Sequence, residues 1–238
     1  MGRIAKAWSR SANSLRQNLF AGIFIWIVAT LVFFSYQSSE ICQDYLDELA
    51  RIKLQYGYLY SACATGLFGG LIPFLALFLR RSVPPRRTFQ WFLFFPLFWA
   101  FKGVEVDAFY RLQSFFFGAS PEFKVVLYKV LVDQFVYCVI WSAPLTAIFY
   151  GWKDADFKWN DVVVLQNFGV MLDEILFLLF STWIIWTPAV TIVYSMPNNL
   201  QIPLFNLTLC FFVLVITLSE KSGENWRDRR DSNPRPPA

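Results

Sequence analysis

Apolar residues run along this chain in long blocks broken by short polar clusters, and show no sustained alternation of the kind that marks strands. A helix crosses ~30 Å of hydrocarbon in ~20 residues. Residues 17–39 form a block of 23 without a charge, and residues 54–79 one of 26. Residues 175–219 give 45 uncharged positions, too many for one helix, and Met196-Pro197-Asn198-Asn199-Leu200 divides them at a turn. The middle is less regular. Residues 89–101 are apolar, but Lys102, Glu105, Asp107 and Arg111 follow before Phe115-Phe116-Phe117. Either one helix over about 89–117 carries these charges at mid-depth, or it breaks at Gly103 and its second part lies at an interface. Residues 125–152 give a fourth span, with Lys129 and Asp133 in its first turns, and a fifth helix begins near Asn160. The pattern predicts an all-α fold, a multi-span transmembrane bundle of about six helices. Its parts are a basic segment (1–18), an N-terminal membrane helix (19–36), a membrane domain (54–218) and a disordered tail (219–238).

Composition supports this. Of 238 residues 56% are hydrophobic, 20% aromatic and only 16% charged, against ~25% charged in an ordinary soluble domain. That excludes disorder outside the ends, and a scattered net charge of +4 argues against a nucleic-acid partner. The lipid bilayer is the expected partner.

Charge sets the expected orientation. Arg3, Lys6, Arg10 and Arg16 precede the first acid, and Arg80-Arg81-Ser82-Val83-Pro84-Pro85-Arg86-Arg87 follows the second apolar block. The connection between these two blocks instead carries Glu40, Asp44, Asp47 and Glu48 against Arg51 and Lys53. Basic loops stay inside, so both ends are expected inside. An Arg-rich, acid-free start also reads as a mitochondrial transit peptide. The ending, Asp231-Ser232-Asn233-Pro234-Arg235-Pro236-Pro237-Ala238, resembles bacterial reading frames that run into a transfer-RNA gene. The expected location is the plasma (inner) membrane in a bacterium, or a mitochondrial inner or peroxisomal membrane in a eukaryote.

There is no His, and Cys42, Cys63, Cys138 and Cys210 lie on separate segments. This offers no metal site and no redox pair. No Gly-rich phosphate loop, nucleophile elbow or paired carboxylates are present, so neither a cofactor nor an enzymatic activity is expected. Ala62, Gly66 and Gly70 recur every fourth residue, with Gly69 beside them and Pro73 one turn on. Small residues on one stripe let a second helix approach closely, which makes these the candidate packing residues.

The candidate polar centre is Lys102, Glu105, Asp107, Arg111, Lys129, Asp133 and Gln134. A charge at the bilayer centre costs ~2.5–3.5 kcal/mol even on lenient scales, so each needs water or a partner. Spacing allows Lys102–Glu105 and Asp107–Arg111 pairs on nearly opposite helix faces. Lys129 is the nearest candidate in sequence for Asp133, with Arg111 and Lys102 as candidates from the preceding helix. Tyr137 and Trp141 extend the Asp133 face. Asp173-Glu174 are expected to cap the membrane portion of the fifth helix.

From Tyr58 onward the chain resembles the Mpv-seventeen family, which includes the twenty-two-kilodalton peroxisomal membrane protein. Tyr58 to Leu79, with its glycines, resembles the family's first Gly-rich helix. Lys102-Gly103-Val104 and Asp107-Ala108-Phe109-Tyr110-Arg111-Leu112 resemble its Gly-Pro…Trp-Tyr…Leu pattern, with Val104 and Phe109 in place of the family's Pro and Trp. Lys129, Asp133-Gln134 and Pro144 are similar to its Lys…Asp-Gln…Pro helix, and Trp183, Trp186-Thr187-Pro188, Tyr194 and Pro197 to its Trp-Pro…Val-Pro region. The resemblance implies a weakly selective channel for small metabolites; the first reading is a membrane protein that passes small solutes, with a homo-oligomer as one possible assembly. The alternative from the residues alone is a non-conducting scaffold or assembly factor that holds other membrane proteins.

Overall fold

The computed structural model describes residues 2–162 and 166–219. Its regular structure among the described residues is all helical. Helix α1 is Arg3–Ser38, so the basic segment and the apolar block that follows it lie on one continuous helix. Ser39 is extended and its hydroxyl accepts from Cys42 N, which starts α2, Glu40–Tyr56. This stretch was expected as a connecting loop. Its periodicity is amphipathic, with Leu46, Ala50 and Lys53 buried, and Glu40 and Lys53 at its ends suit the helix dipole. Gly57, at φ +53°, then turns the chain into α3, Tyr58–Leu79. A side chain at Gly57 would be strained in that left-handed region.

Helix α3 widens to π geometry over Gly66–Leu71, and the next proline is Pro73. The helix made of residues 123–154, α5, widens over Asp133–Ser142, and the next proline is Pro144. A proline ring clashes with the carbonyl four residues back, and a wider turn ahead of it makes room without breaking the helix. Between them α4, Thr88–Phe117, runs through Gly103 without a break. Helix α6, Phe168–Tyr194, begins at the Asn167 cap, whose side chain accepts from Gly169 N and Val170 N. The expected start near Asn160 and the expected cap at Asp173-Glu174 both give way to this residue. It bends by 42° between Phe180 and Thr182. The chain breaks over Ser195–Pro197, and Asn198 to Leu200, expected as part of the turn, instead open helix α7, Asn198–Ser219. The tail, expected as disordered, lies outside the described residues.

The tightest packing is between α3 and α4. A Cβ added at Gly70 would lie 2.6 Å from Phe95 O, and one at Gly103 only 2.2 Å from Ser61 O. At Gly66 it would meet Pro96 O at 3.1 Å and Ala100 Cβ at 3.2 Å; at Gly69, Leu209 Cδ2 at 2.7 Å. Helix α1 lies along α6 and α7, where Trp26 Nε1 donates to Ile185 O at 2.9 Å. The largest apolar core joins α2, α4, α5, α6 and α7 around Tyr194, Met196 and Leu200. A second, aromatic core joins α3, α4 and α5 around Phe74, Phe94, Phe95 and Phe98.

Large apolar side chains stand on the outer faces of α3, α4 and α5, whereas α2 turns Glu40, Asp44, Asp47, Glu48 and Arg51 outward. Phe115 is 82% exposed, and Leu79, Phe89, Leu97, Phe123 and Ile140 are exposed as well. Among the described residues, Tyr58–Leu79 is the one helix long and apolar enough to cross a membrane on its own, joined by Phe168–Tyr194 if its bent halves count together.

Candidate functional site

Charged side chains gather inside. Helix α4 carries them as a ladder from Lys102 to Arg111, a rise of ~14 Å at 1.5 Å per residue. The helix does not break at Gly103, so these charges sit along one rod whose two sides face different neighbours.

On one side, Asp107 is fully engaged. The Lys53 ammonium of α2 pairs with its carboxylate. Ser61 Oγ of α3 donates to it at 2.7 Å, and Arg111 Nε at 3.0 Å. Lys53 also donates to Gly57 O at 3.2 Å. Arg111 itself is exposed and stacks over the Tyr58 ring at 4.5 Å. One buried acid thus ties α2, α3 and α4 together. Burial holds the Lys53 ammonium below the ordinary lysine range, and Asp107 offsets part of that shift.

Toward α5, Lys102 Nζ donates to Glu105 Oε1 at 2.9 Å, to Ser142 Oγ at 3.0 Å and to Tyr137 Oη at 3.3 Å. The Tyr137 hydroxyl donates back to Glu105, and its ring stacks on Phe109 at 4.1 Å. Glu105 Oε2 is buried with no hydrogen-bond partner. Both intrahelical pairs that the spacing allows are therefore formed, and they diverge as their angular separation requires.

The expected ion pair of Lys129 with Asp133 is not formed. Asp133 takes neutral donors instead: Tyr194 Oη at 2.5 Å, Gln134 Nε2 at 2.9 Å and the Cys138 thiol at 3.7 Å. Neither Lys102 nor Arg111 bridges to it. The cause is local. The π register begins at Asp133 and brings Cys138, five residues on, to its carboxylate. Lys129 still lies on the α-helical part and reaches Ser114 Oγ of α4 at 3.2 Å, with the Tyr194 ring 5.8 Å away. Trp141 faces outward, so the aromatic continuation of the Asp133 face stops at Tyr137. Gln134 joins α5 to α6: Thr187 Oγ1 donates to its Oε1 at 3.4 Å, and Trp183 Nε1 to its carbonyl at 2.8 Å.

Several members of this network carried no sequence signal of their own. Lys53 stood in an apparent loop. Tyr194 and Gln113, linked at 2.7 Å, sit 81 positions apart. Thr65 of α3 and Asn206 of α7 meet at 2.7 Å. Gly103, read as a candidate break, is instead the point of closest helix contact.

Lys102, Asp107, Lys129, Asp133 and Gln134 are each at most 5% exposed. The centre is closed by side chains in contact with one another. No group of three His, Cys, Asp or Glu able to hold a metal ion occurs among the described residues. Comparison with known families, curated proteins and solved structures found no match for the chain.

Proposed function

We propose that the chain is a multi-pass integral membrane protein, a bundle of about six spans with both ends inside, and that the α4 ladder is the closed form of a path for small solutes. The observation that carries this reading is the inverted distribution of polarity. Lys53, Lys102, Asp107, Lys129 and Asp133 are buried, while large apolar side chains of α3, α4 and α5 are exposed and the other charges of α2 face outward. Water rewards the opposite arrangement, and hydrocarbon rewards this one. Each buried polar group then needs internal partners, and the network around Asp107, Glu105 and Asp133 supplies them.

A packing scaffold needs a few such links. The run of ionisable groups from Lys102 to Arg111 rises ~14 Å, close to half of a ~30 Å hydrocarbon layer, and is more than packing requires. Opening would exchange side-chain partners for water at the groups with spare capacity, such as Glu105 Oε2. The reading takes up the resemblance to the Mpv-seventeen family, whose members are thought to form weakly selective channels. The second reading, a non-conducting scaffold, is favoured by the closed packing of the same groups. Single-channel recording of the purified chain in planar bilayers separates the two. Conductance that changes ion preference in Glu105→Gln supports the path. A parent that never conducts, across voltages and pH, leaves the scaffold.

A further inference from the structure

We propose that the inner end of the α3–α4 hairpin binds one anionic phospholipid, with an acyl chain in an aromatic groove and the phosphate against Arg81 and Arg86. The proposal rests on the membrane reading above.

The groove, about 460 Å³, is lined by Phe74, Leu75, Phe78, Phe89 and Phe92, with Pro85, Arg86 and Thr88 at its mouth. Phe74 forms its buried floor, stacked on Phe78 at 6.1 Å and edge-on to Phe92 at 5.6 Å. Phe78, Phe89 and Phe92 remain exposed. Such a wall matches hydrocarbon and offers nothing to a polar solute.

The mouth is cationic. Residues 80–87 carry four Arg and no acid. Arg87 is engaged by Asp156 at 3.3 Å and by Gln90 at 3.1 Å. Arg81 and Arg86 are exposed and form no ion pair among the described residues. Uncompensated guanidinium beside an apolar groove is complementary to a ligand that is anionic at one end and apolar at the other. A guanidinium fork fits a phosphate in two-point contact, and basic clusters at the inner surface favour anionic lipid.

The backbone adds an independent observation. Helix α3 closes with Ser82 N donating to Leu77 O at 3.0 Å and Arg81 N to Phe78 O at 3.0 Å. This closure places its penultimate residue in the left-handed region, where glycine is the usual choice. Arg81 holds that position at φ +57°. An arginine thus stands where folding alone would select glycine, in the same short turn as Arg86, which lines the groove.

The test is native mass spectrometry of the full chain in detergent, with equal phosphatidylglycerol and phosphatidylcholine. The parent is expected to retain one phosphatidylglycerol in preference, and inorganic phosphate in excess is expected not to displace it. Each surface cation contributes about fivefold in affinity, so Arg81→Gly and Arg86→Ala each lower retention by about that factor, and the pair by about thirtyfold. Arg81→Gly also relieves the left-handed strain, so its thermal stability is expected to hold or rise, which separates lost binding from lost folding. Arg51→Ala, on α2 beside Glu48, is expected to retain the lipid. Equal retention of both lipids, displacement by phosphate alone, or full retention by the double variant overturns the proposal. A chain released from membranes by an alkaline wash refutes the membrane reading itself. A chain that stays in the membrane fraction yet shows no preference refutes only the lipid site.

Discussion

Replacing Gly103 by Ala adds one methyl group at the closest point of the α3–α4 interface. The new Cβ would lie 2.2 Å from Ser61 O, 2.5 Å from Thr65 Oγ1 and 2.6 Å from Thr65 Cβ. Carbon atoms rest at ~3.5–4.0 Å, so the helices must separate by about 1 Å. The obstacles are a backbone carbonyl and a β-carbon, which no rotamer moves aside. Separation also pulls on Ser61 Oγ to Asp107 and on Thr65 Oγ1 to Asn206. Overpacking of this kind costs ~1–3 kcal/mol, and the shared hydrogen bonds place Gly103→Ala at the upper end. Gly70→Ala meets Phe95 O at 2.6 Å and Pro96 Cα at 2.7 Å, again backbone, and belongs with it. Gly69→Ala meets the ends of Leu209 and Trp99, which yield more easily. Gly66→Ala meets Pro96 O at 3.1 Å and Ala100 Cβ at 3.2 Å, and the ~1 kcal/mol gain in helix propensity offsets most of that crowding. Thermal unfolding followed by tryptophan fluorescence in one detergent ranks the four variants. At about 2–4 °C per kcal/mol for a chain of this length, Gly103→Ala should melt about 6–12 °C below the parent, with Gly66→Ala near it. If Gly103→Ala and Gly66→Ala melt together, the close approach of α3 and α4 is wrong.

Asp107→Asn strands the buried Lys53 cation and should cost ~3–5 kcal/mol, largely restored by adding Lys53→Met, whereas Arg111→Ala at the exposed edge should cost under ~1 kcal/mol; a double-mutant cycle in detergent reads the coupling. Burial lowers the Lys53 pKa in the folded chain, so the unfolded chain binds more protons between the folded value and the ordinary one of ~10.4, and stability should rise with pH across that window; a Lys53→Met variant with the same slope removes Lys53 as its source. Lys129→Met should leave stability unchanged or raise it, because among the described residues this buried cation has a hydroxyl and a ring face but no carboxylate; a loss of 3 kcal/mol on melting would restore the ion pair that the structure lacks. In a cysteine-free chain, Ser38→Cys and Ser82→Cys should react with an impermeant thiol reagent from opposite sides of a sealed membrane, and labelling from the same side ends the proposed topology.

The fold was legible where the signal is local. Blocks of apolar residues mark the helices, and Met196-Pro197 marks the break between α6 and α7. The stripe of small residues marks the face that meets α4. Spacing alone also shows that Lys102 reaches Glu105 and that Arg111 reaches Asp107, since three- and four-residue separations are contacts in any α-helix. Helix α2 was harder to see because a short amphipathic helix rich in Glu, Asp and Lys has the composition of a loop. Its meaning lies in Lys53, whose partner Asp107 is 54 positions away, and no periodicity encodes that distance.

Asp133 shows the same limit from the other side. Its sequence context offers a cation one turn back, and the α-helical turn between them places the two on one face, yet they do not pair. Pro144 is the only local hint that the register changes. The π stretch from Asp133 to Ser142 ends two residues before Pro144, whose ring excludes the carbonyl four residues back. In that register Asp133 meets Cys138 and the hydroxyl of Tyr194 on α6, while Lys129 is left to Ser114 on α4. The two opposite charges thus stay one α-helical turn apart, yet Lys129 bonds Ser114 of α4 and Asp133 bonds Tyr194 of α6. An ion pair within α5 would have fastened the helix to itself. The divided arrangement fastens α5 to α4 and α6 through bonds weaker than a salt bridge. Bonds of that strength can be exchanged for water one at a time, which is what a path that opens needs of its closed state.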